Sequence, residues 1–461
     1  MDQVKEKKFS VNQNTESLLS QSNFQYDPFT KESRGRNRST LNRLFGKIDP
    51  DSMRGAIITL VTAAIGLGLL TYPKAYSFYG YVLGSIAITY AALCTTISYS
   101  LLASVCGLYP NHSLYSELVS HFLGRFWSKY TAWIFIFYYI GACIGYVIVI
   151  VTFFKEVLGS TIAGWMGKDY TDSFKKGLGL MVTMVLMIVL FSGTIMRRAG
   201  IIRYLGILVV LMVVYLTLVT IIQAHAYVEE FEPHYEPFGP KRFYEYILQF
   251  GLLLFAFNGV PAYHQVYIQV KLPTVRRMKK IGIRVSLFLW TFYMLFTIAA
   301  YISLGNSMQD SKFDLFPNKH PLSSDPQDIL MKILKIGFIV CLISTYLVNA
   351  IPLKAQIIHE FEWEDETKNH IFVSFGISLL IGLLSYFYPN VTNWLGILGS
   401  LGSTSMIVLL PTLCYCKGYA DVPKHQFKIK LVKIWCGVTT FMSFLCLVAT
   451  IANMQGYTPT W

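Results

Sequence analysis

Eleven apolar stretches, each about twenty residues long, constrain what this chain can fold into more than any other feature of the sequence. A helix needs roughly 20 apolar residues to cross the hydrocarbon core of a bilayer. Only 14% of the residues are charged, whereas soluble domains carry about a quarter. Residues 1–54 lack the apolar core of a cleavable signal peptide. We therefore predict an all-α, multi-pass membrane protein of about eleven transmembrane helices, at approximately 55–77, 81–107, 130–154, 177–195, 199–223, 245–269, 282–304, 329–353, 371–388, 391–415 and 432–455.

The distribution of basic residues predicts the orientation. If the N-terminus is cytosolic, more than two thirds of the 39 Lys and Arg residues fall in the tail and the loops on the cytosolic side. Such a bias sets topology in membrane proteins, and an odd helix count puts the C-terminus on the opposite side. The formal net charge of +13 then needs no nucleic-acid partner. The sequence leaves open whether the membrane is the plasma membrane or a vacuolar, lysosomal or other organelle membrane.

Residues 1–50 differ in composition from the rest of the chain. They are rich in Ser, Asn, Gln and Lys and poor in large apolar side chains, so they cannot bury enough surface to fold alone. We interpret them as a disordered, basic cytosolic tail, with a contact element for a protein partner as the alternative.

Two of the predicted spans are interrupted by helix-breaking residues. The first contains Gly66 and Gly68, with Pro73 one turn later, and the sixth contains Gly259 and Pro261. Non-helical backbone is tolerated at membrane depth only where it is buried in protein or lines a cavity. Interrupted helices at matching places in two halves indicate a transporter site at the interface of the halves. We therefore predict a first five-helix repeat at 51–223, a second at 224–416, and an eleventh helix with a short C-terminus at 417–461.

The residues around these breaks resemble the amino acid/auxin permease family, which includes the sodium-coupled neutral amino acid transporters. The likeness runs in order over roughly 50–455 and is carried by Gly66–Leu70, Gly141–Tyr146, Phe255–Phe257, Lys271–Lys280 and Leu398–Pro411. The resemblance implies a LeuT-like fold with a 5+5 inverted repeat, and transport of small, neutral amino acids by alternating access.

A zwitterionic substrate suits two broken helices. Free amides at the start of a half-helix attract a carboxylate, and free carbonyls at the end of another attract a cation. We expect Gly66, Leu67 and Gly68 to bind the carboxylate through their amides. Asn258 and neighbouring carbonyls would hold the amine. Tyr146 and Phe257 would shape the pocket for the side chain of the substrate.

The coupling ion is left open between Na⁺ and H⁺, and no other cofactor is predicted. By the resemblance, Thr62 stands where sodium-coupled members have an Asn, and Thr345 matches a family Thr that precedes a Pro-containing motif, here at Pro352. Losing the Asn oxygen weakens the case for a sodium site. No Asp or Glu falls in the middle of a span, which leaves His264 as the central titratable candidate for proton coupling.

Two other classes of function compete with a transporter. A membrane-embedded enzyme needs convergent titratable groups at one depth, and the absence of carboxylates from the middle of the spans argues against it. A non-transporting amino acid sensor, or a structural subunit that retains the permease fold, would tolerate the loss of a binding group such as the Asn replaced by Thr62. It remains the alternative to a transporter.

Overall fold

The computed structural model describes residues 52–110, 114–167, 171–195, 202–231, 233–239, 242–305, 329–364 and 366–456. Within these ranges the chain consists of helices joined by short turns, with no β-strand. The predicted tail at 1–50 lies outside the described residues. The α-helices in chain order are α1 Met53–Ala64, α2 Leu67–Leu108, α3 Tyr115–Leu123, α4 Arg125–Trp165, α5 Asp172–Ile195, α6 Ile202–Phe231, α7 Phe243–Ala256, α8 Val260–Gln269, α9 Val275–Leu304, α10 Ile329–Glu360, α11 Thr367–Phe387, α12 Val391–Ile397, α13 Leu410–Gly418 and α14 Gln426–Met454.

Nine helical stretches in the described part are long and apolar enough to cross a membrane. This confirms a multi-pass, all-α protein, while the count of eleven remains a prediction. The difference lies in two places. One stretch, α2, covers the end of the first predicted span and all of the second, with non-helical backbone inside it at Gly80 (φ 74°). The apolar part of α6, Gly206–Ile222, is shorter than the other nine.

Burial separates a central set of helices from a peripheral set. In α4, 89% of the most apolar window is buried inside the protein, whereas the corresponding share is 33% for both α11 and α14. The peripheral helices therefore expose apolar side chains over most of their surface. An apolar exterior of this kind is expected when lipid, and not water, is the solvent around the protein.

Both predicted interruptions are present. Helix α1 ends at Ala64, and Ile65 (ψ 115°) and Gly66 (φ −155°, ψ −142°) are not helical before α2 begins at Leu67. Helix α7 ends at Ala256, and three residues, 257–259, separate it from α8. The site beside these breaks is lined by residues of α1, α4, α8 and α10.

The tenth predicted span is also irregular. Between α12 and α13 the backbone forms two π-helical segments, Leu398–Ser403 and Ser405–Leu409. Gly399 packs against the backbone of Gly251 on α7, where a Cβ atom would overlap the carbonyl group. This close approach brings the π-helical residues against the second break. Runs of π-helix are rare and occur frequently at functional sites.

Candidate functional site

One tyrosine hydroxyl contacts the free carbonyl ends of both broken helices. Tyr293 on α9 donates to the Ala256 carbonyl at 3.0 Å and lies 3.5 Å from the Ala64 carbonyl. Its ring packs against Phe257 and Tyr72, with centroid distances of 5.0 and 5.1 Å. Because helix-terminal carbonyls without partners are costly when buried, Tyr293 stabilises the two breaks together.

A small cavity of about 40 Å³ lies beside the two breaks, and we call it the central cavity. No Asp, Glu, Lys, Arg or His is among its lining residues, which instead carry phenol and amide groups on a backbone rich in small residues. Such a lining offers hydrogen bonds to a neutral or zwitterionic ligand without a charge that selects a charged side chain. The lining residues are Ala63, Tyr138, Tyr139, Tyr146, Asn258, Gly259, Pro261, Ala262, Gln265, Val348, Asn349 and Pro352.

Tyr146 connects the first break to α10 across this cavity. Its hydroxyl accepts a hydrogen bond from Asn349 Nδ2 at 3.1 Å, and the same nitrogen donates to the Thr345 carbonyl at 3.1 Å. A Cβ atom on Gly66 would lie 2.9 Å from the Tyr146 hydroxyl oxygen. The absence of a side chain at Gly66 therefore leaves the space in which the Tyr146 hydroxyl sits.

Asn258 lies in the second break, and its described hydrogen bonds are made by the amide nitrogen. Its Nδ2 donates to Ser403 Oγ at 3.2 Å and lies 3.5 Å from Met406 Sδ, both on the π-helical segments. Its Oδ1 is buried and has no hydrogen-bond partner within the described chain. A buried, unpaired amide oxygen is costly, so it is suited to accept a hydrogen bond from a ligand ammonium group.

Four of the six predicted binding residues lie outside the lining of the central cavity: Gly66, described above, and Leu67, Gly68 and Phe257. Leu67 is fully buried against Gly145. Gly68 is in the first turn of α2, where a Cβ atom would overlap Ala256. Phe257 is buried in the aromatic contact with Tyr293. Their surroundings are those of packing residues, and a role in binding stays a prediction for each.

The two predicted cation ligands both use their hydroxyl protons on backbone carbonyls. Thr62 Oγ1 donates to the Gly206 carbonyl at 3.1 Å, and Thr345 Oγ1 donates to the Cys341 carbonyl at 2.9 Å. Each oxygen keeps lone pairs for a cation. Helix α1 contacts α10, and Ala63 and Val348, close in sequence to the two threonines, line the same cavity.

His264 belongs to a second cavity of about 90 Å³, the vestibule cavity, next to the first residues of α3. It is buried, with Nδ1 3.9 Å from Cys106 Sγ and its ring edge against Tyr115. The vestibule and central cavities share Tyr139, Pro261, Gln265 and Pro352. His264 therefore lies one chamber away from the central cavity and does not line it.

Sequence reasoning missed Asn349, Gln265 and the pair Tyr138 and Tyr139. The sequence did contain evidence for Asn349, because it lies four residues after Thr345 and residues at this spacing share a helix face. An amide in the middle of an apolar span is also expensive unless it has partners.

Comparison with known proteins identifies the family. Residues 49–455 match the family model described as transmembrane amino acid transporter protein. The sodium-coupled neutral amino acid transporter 7 of Danio rerio is 20% identical over 388 residues, covering 82% of this chain and 81% of that protein. The human protein of the same name is 23% identical over 376 residues, covering 79% and 78%. A putative amino acid transporter of Plasmodium falciparum, AAT1, is 22% identical over 475 residues, covering 92% and 76%.

A solved structure shares the fold. The crystal structure of MhsT in complex with L-phenylalanine superposes with a TM-score of 0.56 at 16% identity, covering 87% of this chain and all of that one. This likeness shows the LeuT-like fold alone, while the family match covers most of the sequence. The chain belongs to the family of transmembrane amino acid transporter proteins.

Proposed function

We propose that this protein is a secondary transporter that moves small neutral amino acids through the central cavity by alternating access. The observation that carries the proposal is the uncharged, hydrogen-bonding lining of a cavity that lies between the end of α1 and the second helix break. A zwitterion brings its own two opposite charges, so the groups it needs are amides, carbonyls and hydroxyls. The family membership and the names of the relatives support the same substrate class.

The size of the cavity supports a transport cycle in which helices change position. At about 40 Å³, the central cavity is far smaller than the roughly 300–1,000 Å³ of open ligand pockets. Substrate entry therefore requires α1, α8 or α10 to move apart. The vestibule cavity would be the route by which substrate reaches the central cavity on the side where α3 lies. The two cavities share the lining residues Tyr139, Pro261, Gln265 and Pro352.

We further propose Na⁺ as the coupling ion, bound with help from Thr345 and Thr62. Hard cations prefer several oxygen ligands. The two hydroxyl oxygens would contribute to such a shell together with carbonyls freed near the end of α1. The relatives named as sodium-coupled support this choice. Proton coupling through His264 is the competing possibility.

Uptake by the purified protein in lipid vesicles tests transport. A panel of labelled amino acids is offered while sodium and proton gradients are imposed separately. The proposal expects saturable uptake of neutral amino acids that a sodium gradient accelerates. Binding of an amino acid without uptake under any gradient would refute transport and favour the sensor alternative.

Variants of Thr345 test the identity of the coupling ion. Thr345→Ala should raise the sodium concentration that gives half-maximal uptake, whereas Thr345→Ser, which keeps the hydroxyl, should stay near wild type. The matched control is Thr291→Ala, because Thr291 makes the same kind of hydroxyl-to-carbonyl bond within α9 at a half-buried position. If uptake ignores sodium but follows external pH, and His264→Gln removes the pH dependence, the coupling ion is H⁺.

A further inference from the structure

A lysine of α9 and a lysine of α14 lie close together near the first residues of their helices. Lys279 is in the second turn of α9, and Lys428 is in the first turn of α14. Their ammonium groups repel each other, although the two residues are far apart in sequence. Lys428 Nζ also lies 5.0 Å from the centre of the buried Tyr415 ring on α13, a cation–π contact that holds this charge in place. We call Lys279 and Lys428 the lysine pair.

No acidic side chain in the described part of the chain compensates the lysine pair. Neither lysine belongs to an ion pair there, and neither α9 nor α14 has an acidic residue in its first turn. Asp421, in the turn before α14, is exposed and is likewise outside the described ion pairs. Holding two like charges together costs free energy, and an anion bound between them would offset that cost.

The surface of α2 lies open between α9 and α14. Trp290 Nε1 on α9 donates to Thr89 Oγ1 at 3.1 Å, and the Tyr90 hydroxyl lies 2.6 Å from Thr439 Oγ1 on α14. Because adjacent residues are about 100° apart around a helix, α9 and α14 pack on neighbouring faces of α2. Leu93, one turn later, falls between these two directions and is 54% exposed. We call this strip of α2, with α9 and α14 as its walls, the α2 groove.

The lysine pair lies at one end of the α2 groove. Lys279 precedes Trp290 by eleven residues, and Lys428 precedes Thr439 by eleven. Each lysine is therefore about 16 Å along its helix from the contact with α2, which puts the two at the same depth. By the predicted orientation, α9 and α14 both begin on the cytosolic side. We therefore expect the pair at the headgroup level of the cytosolic leaflet, where anionic lipids give the membrane a negative surface potential.

Apolar side chains lead from the lysine pair along the groove. On α2 they recur at spacings of seven and four residues, and on α9 they follow Lys279 by four and eight residues, so each set lies on one face of its helix. All of them are exposed or half-buried. They are Ile86, Leu93 and Ile97 on α2, Ile283 and Leu287 on α9, and Leu431 on α14. A pair of fixed cations continued by an apolar strip matches the two parts of a phospholipid.

We propose that the α2 groove binds an anionic phospholipid of the cytosolic leaflet. Its phosphate lies between Lys279 and Lys428, and an acyl chain lies along the apolar strip of α2. Basic sites between transmembrane helices on the cytosolic side are suited to such headgroups. A free phosphate ion would use the same two charges, but it has no part that fits the apolar strip, so the groove favours the lipid.

Lipid binding to the full-length protein tests the proposal without reference to transport. The purified protein is titrated with dioleoyl phosphatidylserine, and bound lipid is counted by native mass spectrometry. Because a basic residue near a lipid surface contributes roughly fivefold in affinity, Lys279→Gln/Lys428→Gln should weaken binding of the tightest lipid at least about fivefold. Lys279→Arg/Lys428→Arg, which keeps both charges, should bind like wild type. The charge-matched control is Lys129→Gln/Lys368→Gln, at exposed positions near the first residues of α4 and α11, and it should also bind like wild type.

Four results would overturn the assignment. Equal lipid binding by the double Gln variant and its control would place the lipid elsewhere. Equal affinity for dioleoyl phosphatidylcholine would remove the role of net charge. Displacement of the lipid by millimolar inorganic phosphate would assign the lysine pair to a free anion. Leu93→Trp fills the exposed strip of α2, so wild-type lipid affinity in this variant would exclude an acyl chain from the groove. If the double Gln variant does not fold, Lys428→Gln alone gives the same test, because Lys428 is at an exposed position.

Discussion

Substitution of Gly68 by alanine distinguishes a packing glycine from a ligand-binding one. A Cβ atom there would overlap both the Cα and Cβ atoms of Ala256, where α2 meets the end of α7. Since backbone atoms are involved, the clash cannot be relieved by rotating a side chain. Overpacking of this kind costs about 1–3 kcal/mol. Replacing glycine by alanine in a helix returns roughly 0.5–1 kcal/mol, which leaves a net destabilisation of up to about 2.5 kcal/mol.

The assay is thermal unfolding in detergent, compared with two other glycine-to-alanine variants. Gly376 on α11 has open space around its Cα atom, so Gly376→Ala should unfold at or above the wild-type temperature. At Gly66 the added methyl group meets only the end of the Tyr146 side chain. Gly66→Ala should therefore reduce uptake more than it lowers the unfolding temperature.

A Gly68→Ala protein that unfolds at the wild-type temperature and loses uptake would refute this reasoning. That outcome would return Gly68 to the ligand-binding role predicted from the sequence. If all three variants unfold at the same temperature, and that temperature is below the wild-type value, the loss of stability does not depend on the contacts at each glycine. The packing explanation would then be wrong.

Three further predictions concern the central cavity and the topology. Asn349→Ala leaves the Tyr146 hydroxyl without its donor, so the KM for uptake should rise roughly tenfold, as for a lost hydrogen bond of about 1–3 kcal/mol. Asn369→Ala, at a half-buried position outside the cavity lining, should leave KM unchanged. Tyr293→Phe removes the hydroxyl that contacts the carbonyl ends of both broken helices, so the variant protein should unfold at a lower temperature than wild type. Tyr386→Phe, at the exposed end of α11, should leave the unfolding temperature unchanged. Tags at the two termini should be accessible from opposite sides of the membrane, and finding both on one side would exclude an odd number of spans.

The sequence was sufficient to predict the helix breaks because the residues that break helices are few. When glycine and proline lie close together in a long apolar stretch, and the pattern recurs in both halves of the chain, an interrupted helix is the simplest explanation. The sequence could not say which glycine of the first pair would leave the helix. Gly66 is non-helical, whereas Gly68 lies in the first turn of α2 against Ala256, a contact distant in sequence.

The residues that complete the site were harder to foresee. Tyr293 is one of 30 tyrosines, and nothing local marks its hydroxyl as the partner of two carbonyls on other helices. Thr345 was found through the family resemblance, but Asn349, one turn later, was not, although it makes the contact with Tyr146. Partnerships of this kind depend on how helices pack, and periodicity along one helix does not contain that information.

The uncharged lining of the central cavity has a consequence for electrical measurements. A zwitterion adds no net charge, and the described lining of the cavity contains no Asp, Glu, Lys, Arg or His, so in the proposed transport cycle the net charge moved would be that of the coupling ion. One elementary charge gains about 2.3 kcal/mol per 100 mV of membrane potential, which corresponds to a roughly fifty-fold equilibrium accumulation of substrate for each ion. For a transporter of the proposed kind, the steepness with which accumulation depends on voltage would therefore count the coupling ions, whichever cation they are.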